Sequence, residues 1–153
     1  MTRKIVFASD HMAYEGREKI AAMIREAGAD FEPIYLGPFQ AGAVDYPDYA
    51  EKVALAVRNG EAELGILLCW TGIGMSIAAN KINGIRAALC HDQTTARLTR
   101  EHNNSNVLCI GYGVVGEVVL RDIITTFLRT EFSGAERHCI RLDKLMKFET
   151  KSY

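Results

Sequence analysis

Five short apolar segments recur along the chain, and a stretch with helical spacing follows each of them. The predicted strands cover residues 4–8, 32–35, 64–69, 85–89 and 107–110. Several of these segments are apolar enough to be buried on both faces, as parallel strands usually are. Alternation of such strands with helices is the pattern of βαβ units. The sequence therefore predicts an α/β fold, a three-layer α/β/α sandwich around a five-stranded parallel sheet.

The predicted helices carry apolar residues at helical spacing. They cover residues 13–27, 47–59, 74–81, 93–101, 115–130 and 135–149. Gly28 and Gly60 follow the first two helices, where glycine commonly ends a helix. The last helix is an addition after the final strand, and its amphipathic pattern predicts packing on a neighbouring subunit. With no linker or repeat, and only residues 36–44 as a longer loop, one domain over residues 1–153 is expected.

The charge pattern argues against nucleic acid and membranes as partners. Eighteen basic and nineteen acidic residues give a formal net charge of −1, and no run of like charge forms a binding stripe. No apolar stretch approaches the roughly 20 residues of a membrane span, and the N-terminal run is too short for a signal peptide. The four cysteines are widely spaced, so no metal site is indicated, and they fit a reducing cytoplasm. A small molecule or a second copy of the chain is the expected partner.

Reactive side chains follow four of the predicted strands. They lie in Ser9-Asp10-His11, in residues 69–74, in Cys90-His91-Asp92 and in residues 111–113. Ligands of open α/β sheets bind outside the carboxyl ends of the strands. The sequence therefore predicts the functional site at this edge of the sheet.

The turn after the third strand carries the most chemical information. In Thr71-Gly72-Ile73-Gly74 the backbone N–H groups converge at the start of a helix, which favours a bound anion. A thiol just before this turn feels the positive end of the helix dipole, so Cys69 is a candidate thiolate base or nucleophile. The alternative is that Cys69 is a small buried apolar residue, as Cys90 and Cys109 are expected to be.

Other interpretations of single motifs stay open at this level. The glycine-rich turn also resembles a dinucleotide-binding loop with Asp92 as the ribose ligand, although the third glycine is replaced by Ile77. Asp10 could cap the first helix, and His102 could sit at a helix C-terminus for purely structural reasons. Arg137 and Arg141, four residues apart on one helix, could clasp a phosphate or form a solvated face.

Taken together, several segments resemble the ribose-5-phosphate isomerase B family, which also contains the galactose-6-phosphate isomerase subunits. The matching segments are Ser9-Asp10-His11, Val44-Asp45-Tyr46-Pro47, residues 69–81, residues 84–88 and residues 102–107. The resemblance implies a Rossmann-like fold and a cofactor-free aldose–ketose isomerase of the pentose phosphate pathway. It also implies a homodimer or a dimer of dimers, in which each site draws residues from two subunits.

The resemblance also implies a role for each site residue. Cys69 is expected to move a proton between C1 and C2 of the open-chain sugar through a cis-enediolate. Ring opening and transfer of hydroxyl protons are implied for Asp10, Thr71 and His102. The implied substrate-binding residues are His11, Tyr46, Trp70, Gly72, Ile73, Gly74, Asn103, Arg137 and Arg141. Of the whole set, His102, Asn103 and the two arginines are expected to come from the partner subunit.

Two departures from the family pattern leave the identity of the sugar open. Trp70 stands where the family usually has glycine, and Tyr112-Gly113 stands where it commonly has another phosphate-binding arginine. A hydrogen bond to a charged group is worth roughly 1.5–3 kcal/mol, so its loss would weaken phosphate binding. The alternatives are an isomerase for another sugar, such as allose, galactose 6-phosphate or a tetrose phosphate, and a non-catalytic sugar-phosphate-binding module.

Overall fold

One parallel sheet organises the chain. The computed structural model describes residues 1–152, and its strands are β1 Arg3–Ser9, β2 Phe31–Tyr35, β3 Leu64–Cys69, β4 Ala87–Leu89 and β5 Val107–Gly111. The strand order is β2-β1-β3-β5-β4, and every neighbouring pair is parallel. The predicted five-stranded parallel sheet is confirmed.

Helices cover both faces of this sheet. They are α1 Arg17–Ala27, α2 Tyr46–Arg58, α3 Ile73–Ala79, α4 Gln93–Asn103, α5 Glu117–Arg129 and α6 Glu136–Met146. One apolar core joins the sheet to α1, α4 and α5, and the other joins it to α2 and α3. The three predicted layers are therefore present, and α6 is the predicted addition, packed beside α4.

The central strand β3 explains why both cores form. All six of its residues are buried, and successive side chains of a strand point to opposite faces. Ile66 and Leu68 belong to the core beneath α1 and α5, while Leu67 and Cys69 belong to the core beneath α2 and α3. Each fully buried leucine or isoleucine contributes about 1.5–3 kcal/mol, so the apolar run at 64–69 stabilises both layers.

The edge strand β4 is shorter than predicted. A strand was expected over residues 85–89, but the ladder begins at Ala87. Before Ala87, the side chain of Asn106 accepts the N–H of Arg86 at 2.8 Å and donates to the carbonyl of Gly84 at 2.9 Å. A side chain thus replaces the ladder bonds that the apolar pattern predicted.

The first and last predicted helices also differ from the structure. Residues 14–16 form a 3₁₀ turn before α1, because the N–H groups of Met12 and Ala13 donate to the carboxylate of Asp10 instead of starting a helix. The last helix ends at Met146 and continues as a 3₁₀ turn, Lys147–Thr150. Within residues 1–152, no helix combines the length and apolar character that crossing a bilayer requires.

The connections around β1 create a crevice at one edge of the sheet. β2 and β3 flank β1 on opposite sides, and the helices leading to them, α1 and α2, lie on opposite faces. In open α/β sheets this reversal of strand order opens a ligand crevice outside the carboxyl ends of the strands. Here that crevice lies beyond Ser9 and Cys69.

Candidate active site

Cys69 ends β3 beside the crevice, and its sulfur is engaged by the turn that follows. Its Sγ accepts the backbone N–H of Gly72 at 3.1 Å, and its side chain is 6% exposed. An N–H aimed at the sulfur stabilises negative charge there. Gly72 has φ 77°, in the left-handed region that favours glycine. The predicted turn and thiol are therefore in contact.

The first turn of α3 supplies further backbone N–H groups beside this thiol. Ile73 donates its N–H to Oγ1 of Thr71 at 3.2 Å, so the Thr71 side chain is held over the helix start. The first N–H groups of a helix have no acceptor within the helix, and those of Gly74 and Met75 belong to this set. The turn can therefore offer donors to an oxygen atom bound near Cys69.

Asp10 and His11 lie on the β1 side of Cys69. The Asp10 N–H donates to the carbonyl of Leu68 at 3.0 Å, which fixes this residue against β3. Its carboxylate accepts the N–H groups of Met12 and Ala13 in the turn before α1. The N-cap of α1 is Gly16, so the prediction that Asp10 caps the first helix is wrong. His11 is exposed, and its Nδ1 accepts the N–H of Val44 at 3.5 Å. This contact ties the predicted loop at 36–44 to the rim of the crevice.

Two aromatic rings complete this edge. The Tyr46 ring lies against Gly74, where an added Cβ would be 2.8 Å from its Cζ atom. The Trp70 ring lies against Gly113 in the same way, at 2.3 Å. Both rings are partly open to solvent, Tyr46 at 41% and Trp70 at 51% exposure. Apolar rings thus stand on either side of the turn that follows Cys69.

The other residues near this edge have structural roles. Cys90 and Cys109 are fully buried, as predicted. Burial raises the pKa of the Cys90 thiol to about 11 and that of Cys109 well above its usual value, so both are protonated at neutral pH. Asp92 is the N-cap of α4 and accepts the N–H of Thr95 at 2.8 Å. Asp92 therefore caps this helix, a role that requires no bound ribose.

A second cluster of predicted site residues lies where α4 ends. His102 and Asn103 occupy the last turn of α4, and with Arg141 of α6 they line a cavity of about 360 Å³. Arg137 lies one turn before Arg141 on the same helix, and both are exposed. The imidazoles of His102 and His138 are in contact, with ring centroids 4.4 Å apart and ring planes tilted by 40°. This cluster combines imidazole and guanidinium groups, which suit an anionic ligand.

His138 is the residue of this cluster that the sequence did not single out. It is 4% exposed, and its Nδ1 forms a 2.7 Å hydrogen bond with the hydroxyl of Ser133. Burial, together with the positive charges of His102 and the two arginines, lowers the pKa of its imidazole. The available signal was the spacing of His138, Arg141, Leu142 and Leu145, which is a helical stripe facing α4.

Two arginines hold the segment that carries His102 and Asn103. Arg86 donates from Nε and Nη2 to the carbonyls of Asn103 and Asn104 at 2.8–3.1 Å. Arg100 donates from Nη1 to Oδ1 of Asn104 at 3.2 Å and to the Ser105 carbonyl. Burial lowers the pKa of both guanidinium groups. Their hydrogen bonds fix the backbone at the end of α4.

The two clusters lie at opposite ends of the strands, one at the carboxyl ends and the other at the amino ends. β5 pairs Gly111 with Cys69 and Val107 with Gly65, so four residues of strand, roughly 13 Å, separate the two ends. Cys69 is at the carboxyl end, whereas α4 returns to the amino end before β5 begins. One chain therefore brings Asp10, Cys69 and Thr71 to one edge and leaves His102 at the other.

The chain has close relatives among known proteins. A family model described as ribose/galactose isomerase matches residues 5–145. Ribose-5-phosphate isomerase B of Escherichia coli (strain K12) is 41% identical over 149 residues, which cover 97% of this chain and 98% of that protein.

Solved structures agree with this similarity. Trypanosoma brucei type B ribose 5-phosphate isomerase has a TM-score of 0.95 at 53% identity, covering 97% of this chain and 99% of that one. Ribose-5-phosphate isomerase B from Mycoplasma genitalium with bound ribulose-5-phosphate has a TM-score of 0.90 at 38% identity, covering 99% of both chains. Sequence and fold agree, and the chain belongs to the ribose/galactose isomerase family.

Proposed function

We propose that this protein interconverts ribose 5-phosphate and ribulose 5-phosphate through an enediolate, with Cys69 as the base. The observation that carries the proposal is the Cys69 sulfur at the carboxyl end of β3, accepting the Gly72 N–H beside the crevice. Relatives that share nearly the whole chain are named ribose-5-phosphate isomerase B. The reaction needs only proton transfer, so the proposal includes no cofactor.

The thiolate moves one proton between adjacent carbon atoms. Cys69 removes the proton from C2 of the open-chain aldose, and the C1 oxygen gains negative charge. The C2 hydroxyl proton then passes to the C1 oxygen, and the proton held by Cys69 returns to C1 to give the ketose. N–H groups of the turn from Thr71 to Gly74 stabilise that charge as it develops, where stabilisation gives the largest rate benefit. Gly72 N–H stabilises the thiolate before the first transfer and after the second.

Before this step the sugar ring has to open, which requires an acid and a base. We assign hydroxyl proton transfer to Asp10, Thr71 and His102, since positioned acid–base groups each contribute about 10²- to 10⁴-fold. Tyr46 and Trp70 contact the sugar, and the phosphate is bound by the remaining charged and polar groups. These are His11, Asn103, Arg137 and Arg141.

Because the clusters lie at opposite edges of one sheet, this assignment requires two chains. We propose a homodimer in which the edge carrying Cys69 faces the end of α4 and α6 of the partner. Exposed apolar residues on α3 and α6, including Ile73, Ile77, Ile140 and Leu145, supply the apolar area that such an interface needs. We further propose that the single domain of residues 1–153 acts in the cytoplasm, in pentose phosphate metabolism.

A second candidate is an isomerase of the same family with another sugar. The Trp70 ring beside Gly113 is the observation that favours it, because a ring that limits space on the β5 side of the turn would also accept a shorter sugar, such as a tetrose phosphate. A panel of aldose phosphates and free aldoses, compared by kcat/KM, distinguishes the two candidates. An optimum away from ribose 5-phosphate would favour the second.

The direct test follows ketose formation from ribose 5-phosphate in D₂O, with deuterium at C1 of the ketose and at C2 of the remaining aldose read by NMR. Loss of the general base in Cys69→Ala is expected to lower turnover by about 10²- to 10⁴-fold, with circular dichroism unchanged. Cys90→Ala removes a buried, protonated thiol from the same edge and is expected to keep activity within a few fold. Saturable binding by the wild type without exchange at C2 would instead indicate a binding module, and a fully active Cys69→Ala would exclude this thiol as the base.

A further inference from the structure

Trp70 is the only tryptophan of the chain, and it is fixed against the backbone of a glycine. Its carbonyl accepts the N–H of Gly113 at 3.0 Å. A Cβ added at Gly113 would lie 2.3 Å from Cδ2 and Cε2 of the indole and 2.5 Å from Cε3. The middle of the indole therefore occupies the place where residue 113 would carry a side chain.

The backbone at Gly113 does not itself demand glycine. Gly72 has a φ in the left-handed region, but Gly113 is absent from the positive-φ residues of the structure. A side chain at position 113 is therefore excluded by the Trp70 ring and by nothing in the local conformation. Trp70 and Gly113 therefore form a coupled pair, in which the large side chain requires the small residue.

This pair bounds the proposed site on one side. Asp10 and His11 follow β1, which lies on one side of β3, while Gly113 follows β5 on the other. The indole leans from the end of β3 toward β5 and remains 51% exposed. On that side of Cys69, the boundary is thus an apolar ring of fixed position.

We infer that Trp70, seated on Gly113, determines specificity by limiting the length of the sugar, so that five-carbon aldose phosphates are accepted over six-carbon ones. The inference rests on the proposed function. The family's description spans ribose and galactose isomerases, so pentoses and hexoses are both relevant substrates. A rigid ring at the boundary excludes the additional carbon of a hexose more effectively than open space would.

The first test compares Trp70→Ala with the wild type on ribose 5-phosphate and allose 6-phosphate. Allose repeats the configuration of ribose from C2 to C4 and adds one carbon. A pocket that gains or loses space for one carbon changes discrimination by about 10- to 200-fold, so the kcat/KM ratio is expected to move at least tenfold toward the hexose. Gly116→Ala is the matched control, since Gly116 follows the same strand and a Cβ there meets nothing within 4 Å.

A double-mutant cycle tests the seating of the ring. The methyl group of Gly113→Ala would displace the indole, so kcat/KM for ribose 5-phosphate is expected to fall about tenfold. Substitutions at residues in contact are coupled, so the effect of this methyl group should depend on the ring. In the double variant W70A/G113A the added methyl group has no ring to displace. Its activity should equal that of W70A alone, and additive effects would overturn the coupling.

Fluorescence of the single tryptophan separates failure of this inference from failure of the proposed function. In Cys69→Ala, where no turnover is expected, ribose 5-phosphate should shift Trp70 emission to shorter wavelength with a smaller Kd than allose 6-phosphate. An unchanged pentose-to-hexose ratio in W70A overturns the inference and leaves the isomerase intact. Emission that responds to protein dilution but not to ligand also overturns it and makes Trp70 an interface residue. If neither sugar phosphate is turned over and neither changes the emission, both proposals fail.

Discussion

Cys69 is the last residue of β3 and Cys90 follows β4, yet their surroundings differ. The Cys69 sulfur accepts a backbone N–H from Gly72. Cys90 is 1% exposed, and burial raises its pKa to about 11. In the proposed mechanism, the turn after Cys69 therefore distinguishes the base from a structural thiol at the same end of the sheet.

The contact between the imidazoles of His102 and His138 leads to a prediction about stability and pH. Because the pKa of His138 is lowered in the folded protein, the unfolded chain binds more protons between that value and about 6.5. The contribution of neutral His138 to stability is complete above about pH 6.5 and is lost as pH falls through the folded pKa. The Tm of the wild type should therefore fall between pH 7 and 5 more steeply than that of His138→Asn.

His91→Asn provides the comparison for this experiment, because His91 is exposed on the loop after β4. The substitution removes one imidazole and leaves the contact between His102 and His138 intact. If His138→Asn and His91→Asn reduced the dependence of Tm on pH equally, the effect would not arise from burial of His138 beside His102 and the arginines.

At the scale of whole elements, Asn80 joins α3 to the edge strand β4. The side-chain amide of Asn80 accepts the N–H of Ala87 and donates to the carbonyl of Ala87, both at 2.9 Å. With the bond that the same amide donates to the Ser76 carbonyl, three side-chain hydrogen bonds are lost in Asn80→Ala. Water can reach these groups, so the expected loss is about 1 kcal/mol in the free energy of unfolding. Urea denaturation measures it. Asn83→Ala, on the exposed loop before β4, should stay within about 0.5 kcal/mol of the wild type.

The same edge strand shows where prediction from sequence succeeds and where it stops. The run 64–69 was predicted at its observed bounds because six apolar residues buried on both faces leave one interpretation. The next strand was predicted to begin at Ile85, yet the side chain of Asn106 bonds the Arg86 N–H and the Gly84 carbonyl, and the strand begins at Ala87. Such a contact joins residues about twenty positions apart, and local periodicity carries no signal for it.

One part of the candidate site was predictable from the sequence and another part was not. The turn from Cys69 to Gly74 was predictable because thiol, glycine and helix start are contiguous. The burial of His138 against His102 depends on how α6 packs on α4, which no single-helix pattern determines. Likewise, the Trp70 contact with Gly113 joins two loops and had no signature in the sequence.

For the whole molecule, the separation of the two clusters predicts complementation between inactive chains. Cys69→Ala lacks the base, and His102→Asn lacks the acid–base group at the opposite edge. In a mixed dimer one site carries both defects and the other carries neither, so an equal mixture should recover about a quarter of the wild-type activity per site. Co-refolding the two variants and assaying ribose 5-phosphate measures this recovery.

Each variant alone, refolded by the same procedure, serves as the control and should remain inactive. If each site were built from one chain, every site in the mixture would keep a defect and no activity would return. Recovery therefore requires that Cys69 and His102 act on one substrate from different chains.

The placement of the reactive groups at opposite edges also has a kinetic consequence. In the proposed arrangement a single chain holds every required side chain and still has no complete site, so at high dilution the rate rises with the square of the chain concentration. A sugar phosphate held by both chains favours the paired state by mass action. The substrate then acts as a bridge that promotes assembly of the catalyst that consumes it.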